Sequence, residues 1–147
     1  MCKRILVSAC LLGICCRYDG RGNPDPDVLA LAEREDVILV PVCPEQLAGM
    51  PTPRIPSERL DGSVFNRAGE DVTEHFLRGA REALRIARIC GCKLAVLKER
   101  SPSCGCGRIY DGSFSGQLTD GDGITAELLR SNGIVVLGES NAGKLLE

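Results

Sequence analysis

The chain has 147 residues and a net charge of −2 at pH 7, enough length to bury a core and too little positive charge for general affinity to nucleic acid or acidic membranes. It contains no Trp, two Tyr and three Phe, which argues against a stacking platform for single-stranded nucleic acid and leaves the core to Val, Ile, Leu and Ala. Nine cysteines are the outlier; with no secretory leader in view, the chain reads as cytoplasmic, where disulfide frameworks are rare and an odd count fits them poorly.

In chain order, Arg4–Ala9 opens with a continuous apolar run and reads as a buried parallel strand. Cys10 follows it, and the polar, glycine-rich stretch to Pro24 reads as loop. The spacing predicts a helix over 25–34, with Asp25 as N-cap and Pro26 in the first turn. Val37–Val42 is a second strand, ending in Cys43-Pro44-Glu45. Four prolines from Pro44 to Pro56 stiffen the next loop, and Asp61-Gly62 suggests a hairpin within 59–67. Residues 71–89 carry the longest helical pattern, which stops at Gly91. Lys93–Lys98 is a third strand, leading into Ser101-Pro102-Ser103-Cys104. Residues 112–122 read as a mobile or site-covering loop, 123–133 as a helix and Ile134–Leu137 as a fourth strand.

Strands alternating with helices imply one small α/β domain over 1–147, Rossmann-like, with a mainly parallel sheet of about four strands and helices on its faces. In open parallel sheets, ligand sites gather beyond the carboxyl ends of the strands. Cys10, Cys43 and Cys104 follow three such ends, so parallel strands put all three thiols on one rim. No C-x2-C pair is present, and spacing leaves an iron–sulfur cluster, zinc and simple thiol chemistry all open. His75 is the single histidine and reads as a surface or packing residue, which disfavours a His-based zinc site. Cys106 is an alternative to Cys104; Cys15, Cys16, Cys90 and Cys92 read as structural or spare thiols. No G-x-G-x-x-G or G-x4-G-K-[ST] pattern occurs.

Three segments carry a family resemblance: Ser8–Gly20 with Ala-Cys-Leu-Leu-Gly and Cys-Arg-Tyr-Asp-Gly, Pro41–Arg54 with Cys-Pro-Glu-Gln-Leu, and Lys98–Gly105 with Ser-Pro-Ser-Cys-Gly. Together and in this order they resemble the thiouracil desulfidase family, long catalogued as a domain of unknown function. The resemblance implies a [4Fe–4S] cluster with three protein ligands, Cys10, Cys43 and Cys104, and removal of sulfur from thiouracil or a related thiolated pyrimidine. It also implies Glu45 as catalytic base and Ser101 as a proton-handling group. The partner is then a small thiolated pyrimidine, with no membrane and no intact nucleic acid. On the residues alone, Glu45 reads equally well as a carboxylate at a helix N-terminus, and Ser101 as a turn residue. Tyr18, Asp19 and Arg54 are possible rim residues or loop scaffolding. The competing readings are a non-catalytic iron–sulfur or zinc-binding module and a thiol enzyme carrying persulfide.

Overall fold

A computed structural model describes residues 2–147. Its centre is a four-stranded sheet in the order β2-β1-β5-β8, with every neighbouring pair parallel. The strands are β1 (Lys3–Ser8), β2 (Val37–Val42), β5 (Leu94–Leu97) and β8 (Val135–Gly138), the four apolar runs of the sequence. Leu6 lies in one core with Ala83, Leu84, Ala87 and Leu129, whereas its neighbours Ile5 and Val7 lie in another with Val28 and Leu31. This alternation is the pleat of a strand covered on both faces.

The first core is closed by α3 (Thr73–Cys90) and α4 (Ile124–Ser131), the second by α1 (Pro26–Ala32) and a 3-10 segment, Glu139–Leu146. Asp25 caps α1, its carboxylate accepting from the backbone N–H groups of Asp27 and Val28. Asp71 accepts from the Thr73 N–H at the start of α3, and Gly91 ends that helix in the left-handed conformation, φ 71°. Two small hairpins lie outside the sheet. One joins β3 (Ser57–Leu60) and β4 (Ser63–Asn66) across Asp61-Gly62, as the turn signal predicts.

The other hairpin joins β6 (Arg108–Tyr110) to β7 (Leu118–Asp120), so part of the stretch expected to be loop is an antiparallel strand. A three-residue strand of Leu-Thr-Asp has no periodicity to announce it. Its connection, 111–117, is nonetheless part of a cavity wall through Phe114 and Gly116. The C-terminal 3-10 segment is likewise unannounced in the sequence. Among the described residues, no helix is long and apolar enough to cross a membrane.

Candidate active site

Parallel strand order puts the carboxyl ends of β1, β2 and β5 side by side, and three backbone devices carry the cysteines there. After β1, Ala9–Leu12 forms a 3-10 turn that buries Cys10 and closes at Gly13, φ 90°. After β2, Cys43 is the N-cap of the four-residue turn α2 (Pro44–Leu47), with Glu45 in its first turn. After β5, Ser101 Oγ accepts from the N–H groups of Ser103 (3.1 Å) and Cys104 (3.0 Å), winding the loop into a turn that delivers Cys104. Ser8 ties two of these ends together, accepting from the Lys98 N–H at 2.8 Å.

Cys10, Cys43 and Cys104 line one cavity of about 550 Å³, together with Glu45, Ser101 and Arg54. All nine cysteines are free. Among the described residues, no three His, Cys, Asp or Glu converge closely enough to hold a single metal ion. Sulfur is the soft donor that iron–sulfur groups take from a protein, and three cysteines lining one cavity supply it from three separate loops.

Packing brings a further thiol to this cavity. Cys16 is 2% exposed, lines the cavity and makes polar contacts with the thiols of both Cys10 and Cys43. The Cys10 contact, with burial behind it, pushes its pKa up to about 11, against the Cys43 contact and Arg54, which lower it. Cys43 is also raised, first by its contact with Cys16 and then by burial. Burial pushes Cys104 up to about 12, partly offset by a hydrogen bond with Ser8. A metal group that binds here would have to displace these thiol protons, so its uptake would release protons and grow with pH. The sequence reads Cys16 only as a structural or spare thiol; the structure puts it in the cavity wall.

Glu45 sits in an ion pair. Arg54 Nε donates to its Oε1 at 3.2 Å, the two side chains being 4% and 17% exposed. Arg54 also donates to the Cys16 carbonyl at 2.8 Å, and the Cys43 thiol approaches the same carbonyl at 3.7 Å. Arg54 is thus neither a surface pair nor simple loop scaffolding: it braces the carboxylate against the loop that holds Cys16. Ser101 lines the cavity and uses its oxygen as the turn acceptor, a role that does not consume the hydroxyl hydrogen.

Other candidates lie differently. Tyr18 lines the cavity, while Asp19 pairs with Arg17 at 3.4 Å and accepts from the Arg21 N–H, a turn role. Cys106 is not a lining residue: its sulfur accepts from Arg130 at 2.7 Å and lies 3.6 Å from the Val136 carbonyl. His75 is exposed on α3, Cys90 ends that helix half-buried against the core, and Cys92 just after it is buried in the core.

The 2-thiouracil desulfurase family model matches residues 5–141. The chain is 39% identical to the uncharacterized protein YbbK of Bacillus subtilis (strain 168), over 97% of this chain and 99% of that one. Its fold is similar to that of a solved [4Fe-4S]-dependent thiouracil desulfidase, TudS, with a TM-score of 0.89 and 44% identity over 98% of this chain and 95% of that one.

Proposed function

The chain belongs to the 2-thiouracil desulfurase family, and from that membership we propose that it is a desulfidase whose iron–sulfur cluster is held by Cys10, Cys43 and Cys104. Its substrate is thiouracil or a related thiolated pyrimidine, and its products are the oxo compound and sulfide. The observation that carries this reading is the shared cavity, lined by thiols from three parallel strand ends and by a carboxylate braced by an arginine. The neighbour of known structure is described as [4Fe-4S]-dependent and acting on thiouracil, which supports the same cofactor and substrate class here.

When bound, the cluster supplies a soft Lewis acid suited to a thiocarbonyl sulfur. The chain's own groups do the rest. Glu45, two residues after Cys43, takes a proton from the water that attacks the thiocarbonyl carbon. Arg54 fixes the direction in which that carboxylate points. Ser101 donates through its free O–H, orienting the water or the ring. The exchange of C=S for C=O consumes water and needs no external electrons.

The test is anaerobic reconstitution with iron and sulfide, followed by incubation with 2-thiouracil and measurement of uracil and sulfide. About four irons per chain and release of both products are expected of a three-cysteine [4Fe–4S] site. One zinc without iron would sink the proposal. Brown protein without turnover would favour a non-catalytic module, and colourless active protein a persulfide-carrying thiol enzyme.

A further inference from the structure

Ser57 opens β3, is 9% exposed and lines the cavity. Among the described residues, its hydroxyl is the only buried side-chain oxygen or nitrogen with no hydrogen-bond partner. A buried hydroxyl left unpaired gives up its hydration for nothing, so it needs a reason to persist.

Its neighbour Glu58 is also 9% exposed and uses one oxygen, Oε1, to accept from the N–H groups of Gly112 (3.0 Å) and Phe114 (3.1 Å). This buried carboxylate ties the β6–β7 connection to β3. It holds Phe114 in the left-handed region, φ 55°, a conformation that bulky side chains rarely adopt. Phe114, Tyr110 and Tyr18 all line the cavity, in a chain with five aromatic residues in total. The cavity lining therefore includes a serine with an unpaired hydroxyl and an aromatic residue on a tethered loop.

We propose that Ser57 is a substrate-recognition residue: a turn about its χ1 bond brings the buried, unpaired hydroxyl to the polar ring edge of the thiolated pyrimidine, while Phe114 packs on the ring. The inference rests on the function proposed above and adds the residues that recognise the substrate. A hydroxyl both donates and accepts, so it can read a ring C=O or N–H, and a thiouracil presents such groups apart from the reacting C=S. Glu58 is a positioning residue that acts through the backbone of the Phe114 loop.

The experiment compares the iron-reconstituted wild type with Ser57→Ala and Ser57→Thr. It measures kcat and KM for 2-thiouracil, uracil affinity by calorimetry, and Tm. Losing one hydrogen bond should raise KM for Ser57→Ala about tenfold and weaken uracil binding by a similar factor, with kcat moving much less. Tm should stay level or rise, because the deleted hydroxyl has no partner to lose, and Ser57→Thr should restore affinity. Unchanged KM and uracil affinity in Ser57→Ala would overturn the inference. So would a fall in Tm with affinity intact, since it would reveal a structural partner such as a bridging water. If the wild type carries iron and binds uracil but does not turn over 2-thiouracil, the proposed function fails and the uracil comparison still decides the role of Ser57.

Discussion

Arg54 donates to Glu45 at 3.2 Å while a second of its nitrogens holds the carbonyl of Cys16 at 2.8 Å. One guanidinium thus links the carboxylate after β2 to the cysteine loop after β1. Glu45→Gln should retain iron and colour and lose turnover by ~10²–10⁴-fold, the usual contribution of a positioned base. Arg54→Ala should also lower turnover. It should lower stability as well, on the order of 3 kcal/mol, because it strands a largely buried carboxylate. Steady-state kinetics, iron content and denaturant unfolding separate the two. Full turnover in Glu45→Gln would leave Glu45 only a helix-end role.

Single Ser replacements of these cysteines should divide into two groups. Cys10→Ser, Cys43→Ser and Cys104→Ser should each lose iron and activity together. Cys106→Ser should keep both, since Cys106 faces Arg130 and the Val136 carbonyl. Cys16→Ser should keep iron, because the Arg54 contact uses the Cys16 backbone carbonyl and survives the exchange. Iron per chain and the visible absorbance after anaerobic reconstitution give the answer. Iron loss in Cys16→Ser would move that residue into the ligand set.

Gly79 on α3 packs against the turn that presents Cys43 and Glu45. A Cβ at this position would stand 2.0 Å from the Pro44 carbonyl oxygen and 2.7 Å from its carbon, a clash with backbone that no rotamer relieves. Gly79→Ala should therefore cost about 1–3 kcal/mol, as overpacking does. It should also reduce iron retention, because Pro44 directly follows Cys43 in the turn that is pushed. A variant with normal Tm and iron content would show that the turn shifts freely.

The metal-free chain should lose stability at alkaline pH. Cys104 is raised to about 12 and Cys16 to about 11, both above the ordinary thiol value of 9.0. A folded-state pKa above the unfolded one means that the unfolded chain gives up its proton first. The stabilisation is then complete below pH ~9 and is lost as pH climbs towards the folded values. Tm measured from pH 7 to 11 should fall above pH 9, and less steeply in Cys104→Ser. Identical slopes for the two proteins would remove Cys104 from the account.

The four strands, the caps at Asp25 and Gly91 and the 61–62 hairpin were legible because each depends on residues near in sequence: an apolar run, a side-chain acceptor, a positive-φ glycine. The common rim of Cys10, Cys43 and Cys104 was legible too, since parallel strands must all end at one edge of a sheet. The strand order that makes β1, β2 and β5 neighbours was not, because apolar runs of similar length carry no address.

The same holds for the site's polar contacts. Arg54 on Glu45, Cys16 against Cys10 and Cys43, and Glu58 on the Phe114 loop join residues in irregular segments, where no periodicity marks partners. The unpaired hydroxyl of Ser57 is the extreme case: a serine in sequence says nothing of whether its oxygen will be satisfied. Local chemistry therefore shows which elements form and which ends carry sulfur, while long-range packing sets which buried groups are paired and which are left unpaired.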